Sequence, residues 1–132
     1  MNIVTYIIAL IVFLVIDLIW IGVIAKSFYF SQLATFLADK PNWPVALIFY
    51  ALFILGLTVF VIQPSIAQNQ DLKTTVGYAF LFGLVTYGTW DLTNLALFKG
   101  FPTKVAIVDI IWGGTIATLV TVITKKINGI IS

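Results

Sequence analysis

Val108-Asp109-Ile110-Ile111-Trp112-Gly113-Gly114 sets a carboxylate inside the last apolar run of the chain, with a tryptophan three residues on and two glycines behind it. The first apolar run carries a near copy, Ile16-Asp17-Leu18-Ile19-Trp20-Ile21-Gly22. Sliding one onto the other aligns Asp17 with Asp109, Ile19 with Ile111, Trp20 with Trp112, Gly22 with Gly114, Ile24 with Ile116 and Ala25 with Ala117. Isoleucine and alanine matches are common in apolar helices; a repeated Asp-x-x-Trp unit is not. Asp91 places a third acid in the third apolar run. Carboxylates are costly in hydrocarbon and are seldom kept there without a reason.

The composition around these acids says which solvent the chain is built for. Hydrophobic residues make up 61% of the 132 and charged residues 9%, with a mean hydropathy of +1.13. A water-soluble domain needs about a quarter charged residues to cover its surface, so this is the composition of a membrane protein. There is room for four spans of roughly 20 residues and little else. The expectation is an all-α, single-domain bundle of four transmembrane helices, at about 4–24, 43–63, 75–98 and 105–124.

Absent residue types narrow the chemistry. Cysteine and histidine are missing, which removes disulfides, thiolate nucleophiles, axial-histidine haem and ordinary zinc sites. All five acids are Asp and all seven bases are Lys, so a di-iron bundle built on Glu and Glu-x-x-His is not expected. No metal site is anticipated, and the residues point to no particular cofactor. A net charge of +2, scattered along the chain, lends no support to nucleic-acid binding. No basic stretch precedes the first apolar run and no Ala-x-Ala follows it, so that run is read as a retained span rather than a cleaved signal.

Between the first two runs the character changes. Phe28, Tyr29, Phe30, Leu33, Phe36 and Leu37 alternate with Ser31, Gln32, Thr35 and Asp39 at roughly helical spacing. A short amphipathic helix at about 27–38, lying in the interface with its aromatics at headgroup level, fits this pattern. A re-entrant loop or a lid over a ligand is the functional alternative. Pro41-Asn42-Trp43-Pro44 reads as a turn and helix start, with Asn42 as cap. The second run has no charge, is expected to end at Pro64, and is expected to contribute no chemistry. Ala79-x-x-x-Gly83 in the third run is a spacing that lets helices approach closely. Lys125 and Lys126 are read as the exit of the fourth. With four spans, Lys73, Lys125 and Lys126 lie on one side and Lys26, Lys40, Lys99 and Lys104 on the other, too even a split to orient the chain.

Depth is more informative. Asp17 and Asp91 each stand seven residues before the end of their expected spans, and Asp109 about four after the start of its own. At 1.5 Å per residue, all three lie about 6–10 Å inside one face, the face of Lys26 and Lys99. Since the first and fourth spans run antiparallel, their repeated units meet head to tail. An indole N–H is a donor, so reciprocal Asp17–Trp112 and Asp109–Trp20 contacts are expected. Tyr87, Asp91 and Asn94 share one stripe of the third helix, flanked by Trp90 and Thr93. The candidate site is therefore Asp17, Asp91, Asp109, Trp20, Trp112, Tyr87, Asn94 and Trp90, with Lys26 and Lys99 able to reach in. The structural alternative is that the network only glues helices, at around 1 kcal/mol per contact.

Asp17-Leu18-Ile19-Trp20 with Lys26 and Phe28-Tyr29, the Asp39-Lys40-Pro41 turn, Trp90-Asp91-Leu92-Thr93-Asn94, and Val108-Asp109-x-x-Trp112-Gly113 together resemble the bacterial membrane proteins of domain of unknown function 2177. The resemblance covers nearly the whole chain. It implies a four-span, multi-pass protein of the bacterial inner membrane, and it brings no activity and no functional residues with it.

Three function classes follow. The leading one binds or transports a small or amphiphilic ligand, or relays protons, through Asp17, Asp91 and Asp109. Its expected partners are the lipid bilayer, a lipid or small-molecule ligand and, for transport, further copies of the chain. The second is an intramembrane enzyme using Asp acid–base catalysis on a lipid or isoprenoid-like substrate. The third is a structural subunit or assembly factor of a membrane complex.

Overall fold

Asn2 starts the first helix by accepting, through its side-chain oxygen, from the backbone N–H groups of Val4 and Thr5. In the computed structural model, which describes residues 2–37, 40 and 42–131, helix α1 then runs Ile3–Ile24. Its last turn, Trp20–Ile24, is widened to π geometry. Such turns interrupt an α-helix locally and recur at functional sites.

A short helix α2, Lys26–Gln32, follows. It is shorter than the 27–38 expected, because Leu33 leaves helical geometry (φ −106°, ψ 14°) and the chain turns from there to Phe36. Ala38, like Asp39 and Pro41 of the expected turn, lies outside the described residues. Helix α2 does not present all its aromatics outward. Tyr29 is buried with Ala25, Phe101, Val105 and Ala106, while Phe30 is exposed.

Asn42 caps the next helix through Val45 N–H, at 3.3 Å, and Pro44 falls in the first turn, where its missing N–H costs nothing. Helix α3 runs Trp43–Ala67. Pro64 does not end it, contrary to the sequence expectation. The turn Thr58–Ile62 is π-helical, and Pro64 enters at the first turn of the α-helical piece Gln63–Ala67. The ladder register is already shifted there, Gln63 N–H donating to Thr58 O, so the proline falls at the junction of the π turn and the α-helical piece.

Asp71 caps helix α4, Leu72–Leu97, by accepting from Thr74 N–H at 3.3 Å. Gly100, at φ +81°, makes the turn into helix α5, Thr103–Ile131. Helix α5 also outruns its expected end at Lys125. The Lys125 ammonium donates to the Gln70 carbonyl at 2.7 Å and so ties the helix to the α3–α4 loop.

Among the described residues the chain is helical with no strand. Helices α1, α3 and α5 are long and apolar enough to cross a membrane. Helix α4 has the length, 26 residues or roughly 39 Å, but its threonines, glycines and Asp91 lower its hydropathy. What it lacks in apolar surface it supplies in closeness. Ala79 and Gly83 are buried against α5, where a Cβ on Gly83 would collide with the Gly113 carbonyl and come within 2.7 Å of Gly114 Cα. Gly113 and Gly114 in turn leave the space that the Tyr87 and Phe80 rings occupy. The core beside this seam joins Ala9 and Phe13 of α1, Phe53, Ile54, Leu57, Val61 and Ile62 of α3, and Ile116, Ala117 and Val120 of α5.

Candidate functional site

The α4–α5 seam and the antiparallel α1 bring the repeated Asp-x-x-Trp units together at the α2 end of the bundle. Trp112 donates from Nε1 to Asp17 Oδ1 at 3.2 Å, as the repeat predicts. The reciprocal contact is not direct. The Trp20 and Trp112 rings stack, 4.2 Å between centroids and 9° from parallel, and the Trp20 N–H meets the Tyr29 hydroxyl at 3.4 Å instead. Tyr29 passes the connection on by donating to Asp109 Oδ1 at 2.9 Å. Burial, and then the Asp109 charge, hold the Tyr29 phenol above its usual range, so it remains a donor.

Asp91 is the exception in this network. It is 0% exposed, and neither of its carboxyl oxygens finds a hydrogen-bond donor among the described residues. Asp109 lies beside it, close enough for the two acids to interact directly. Asp109 also acts electrostatically on Asp17, and both act on Tyr87. Asp91 and Asp109 therefore adjoin, and Asp17 lies within electrostatic reach of Asp109. A buried carboxylate without a partner is among the most costly groups a protein can hold. Its oxygens call for a shared proton or for a donor brought by something else.

Beside this cluster lies a cavity of about 250 Å³, lined by Phe49 of α3, Thr86, Tyr87 and Trp90 of α4, and Asp109 of α5. Thr86 spends its hydroxyl proton on the backbone, donating to Phe82 O at 2.8 Å with Gly83 O at 3.2 Å. Trp90 is half exposed at the cavity's edge and packs edge-on against Phe101, 5.8 Å between centroids.

Of the residues expected at the site, Asp17, Asp91, Asp109, Trp20, Trp112 and Tyr87 come together and Trp90 borders them. Asn94 stands apart, in a groove with Leu33, Phe36, Leu37 and Phe98 that shares only Trp90 with the cavity. Lys26 and Lys99 are both exposed. The Lys26 ammonium sits over the Phe30 ring at 5.9 Å, and no lysine–aspartate ion pair occurs among the described residues. No group of acids with metal-binding geometry occurs among them either. Three contributors lie outside the expected set. The sequence pattern makes Tyr29 an interfacial anchor and the second apolar run chemically silent, yet Tyr29 bonds Asp109, Phe49 lines the cavity and Tyr50 lies within electrostatic reach of Asp17. The signal available for Tyr29 was its place in the same stretch as Lys26 and Phe28; for Tyr50 there was none beyond its being a tyrosine in an apolar run.

The profile described as "Predicted membrane protein (DUF2177)" matches residues 2–125, so the chain belongs to that family. No curated protein and no solved structure matches it.

Proposed function

We propose that this member of the DUF2177 family is a four-span membrane protein whose buried acids, Asp17, Asp91 and Asp109, bind a small or amphiphilic molecule or carry a proton. Helix α4 is the fourth span in this reading; its length and its tight seam with α5 support that place. The resemblance to bacterial proteins supports a multi-pass location in a bacterial inner membrane. Transport, with so few helices per chain, calls for a homo-oligomer.

The observation that carries the reading is Asp91. Glue forms hydrogen bonds, and Asp17 and Asp109 do so. Asp91 accepts from no donor among the described residues; what it meets is the Asp109 carboxyl, and two carboxyls side by side repel unless a proton lies between them. An acid held without a donor beside a second acid supports a functional position.

The test uses the full chain. Asp17→Asn, Asp91→Asn and Asp109→Asn are each checked for folding, then for proton flux in liposomes and for any small molecule carried through purification, read by native mass spectrometry. Loss of flux or of a bound mass in the folded Asp91→Asn protein supports the reading. Three folded variants with unchanged flux and unchanged bound mass would defeat it.

An enzyme remains the second reading, on one specific observation. Asp91 is sealed while its neighbour Asp109 is hydrogen-bonded and reaches the cavity wall. Two acids in unlike surroundings are the usual arrangement for a general acid and a general base. Lipid profiles of cells with the wild-type chain and with Asp109→Asn separate a catalyst from a binder: only a catalyst changes a lipid species.

A further inference from the structure

We propose that the cavity beside Asp109 takes an ammonium group, carried either by a free organic cation or by an amine-bearing lipid headgroup. The proposal rests on the ligand-site reading above and names the chemical class of the ligand.

The lining decides the class. Three of the five residues around the cavity are aromatic, one is a carboxylic acid and none is basic. Aromatic faces carry the negative part of the ring quadrupole and attract a cation within about 6 Å. The Phe49 and Tyr87 rings meet at 65°, with centroids 6.4 Å apart, and so form two walls at an angle rather than a closed stack. Asp109 gives this box a charged wall. An anion would face Asp109 with Asp91 beside it. A neutral polyol would need several donors and acceptors, and the Thr86 proton is already committed to the backbone. One positive charge wrapped in alkyl groups asks for rings and a single acid, which is what the cavity provides.

A second and independent observation is the uncompensated acid behind the wall. Asp91 is fully buried with no donor to either oxygen among the described residues, and it interacts directly with Asp109. No lysine among the described residues forms an ion pair with these acids: Lys26 rests over Phe30 and Lys99 is exposed. A cation at Asp109 would lie beside this pair of acids and favour their ionised forms. The cavity's outer residues, Phe49 and Trp90, are 46% and 52% exposed on the side of the bundle, so entry from the lipid is open to a headgroup as well as to a free solute.

The experiment measures equilibrium binding of labelled choline to the full chain in phosphatidylglycerol nanodiscs, which contain no ammonium lipid. Its neutral isostere, 3,3-dimethylbutan-1-ol, is run as competitor. Saturable choline binding is expected, with the alcohol at least about tenfold weaker. Asp109→Asn should weaken choline at least about tenfold, and Trp90→Ala, at an exposed position that leaves the core intact, should weaken it several-fold. A second arm adds phosphatidylcholine to the discs: displacement of choline assigns the site to a headgroup, and no displacement assigns it to a free cation. Equal affinity for the alcohol, or undiminished choline binding in both variants, would overturn the choice of a cation. Absence of saturable choline binding would overturn it too. The ligand-site reading has its own readout in the Asp91→Asn flux and bound-mass test, so the two fail separately.

Discussion

Trp112 reaches across the bundle to donate to Asp17 while its ring lies flat on that of Trp20. One indole thus joins α5 to α1 in two ways, through a polar edge and an apolar face. The two can be separated by substitution.

Trp112→Phe removes the N–H and keeps a ring in the stack. It should destabilise the protein by about 1 kcal/mol, the usual worth of an interhelical hydrogen bond in a membrane. Trp112→Ala loses the stack as well and should cost about 3–5 kcal/mol. Unfolding in detergent measures both. Coupling of Trp112→Phe with Asp17→Ala, which removes the acceptor, should recover most of the smaller value in a double-mutant cycle; a coupling near zero would mean that the bond contributes nothing.

Tyr29→Phe interrupts the path from Trp20 to Asp109 without changing ring volume. The phenol accepts from one and donates to the other, so the loss should be about 1–2 kcal/mol. The part of that loss due to the Asp109 bond should disappear in an Asp109→Ala background, which removes the acceptor. Equal effects in both backgrounds would show that Tyr29 acts by packing alone.

Gly83→Ala should be among the most damaging single changes in the chain. Its Cβ would strike the Gly113 carbonyl, a backbone group that cannot swing away, and a cost of about 3 kcal/mol or more is expected. Gly77→Ala on the same helix meets nothing within 4 Å and should be neutral or stabilising by up to about 1 kcal/mol. Thermal unfolding of the pair in detergent gives the comparison.

Asp91→Asn should leave stability within about 1 kcal/mol of wild type or raise it, since no donor among the described residues is lost and the new amide N–H can donate to the Asp109 carboxyl beside it. Asp17→Asn, which weakens the acceptor of the Trp112 bond, should lower it. The opposite order in thermal unfolding would return Asp91 to a structural role.

Asp71 provides a pH test outside the membrane. Its hydrogen bonds, first from the Thr74 side chain and then from the Thr74 backbone, hold its carboxyl below the ordinary range. A folded-state value lower than the unfolded one stabilises above the unfolded pKa, about 3.9, and that contribution is lost as pH falls through the folded value. Below about pH 4, wild type should therefore lose a small increment of stability relative to Asp71→Asn. Parallel melting curves of the two proteins across this range check it.

Much of the site was legible because its signal is local. An acid in an apolar run stands out by its cost alone, and counting residues from the ends of such runs is enough to expect Asp17, Asp91 and Asp109 near one another. The Asp17–Trp112 bond followed from a repeat read along antiparallel helices. Tyr29 and Tyr50 were not legible, because a tyrosine's place depends on how its helix is rotated, and rotation follows from contacts between distant segments. Pro64 misled for a similar reason: a π turn just before it changes which hydrogen bonds the proline interrupts.

By itself, then, the amino-acid order determined the solvent of the chain, its helical nature and which acids stand inside apolar runs, since hydropathy and the cost of a buried charge are paid residue by residue. Tertiary structure alone decided which acid goes without a partner. That outcome turns on helix approach at Gly83, Gly113 and Gly114 and on α2 folding inward. The first sets how closely α4 and α5 bring Asp91 and Asp109 together, and the second delivers the Tyr29 hydroxyl to Asp109, leaving Asp91 with none.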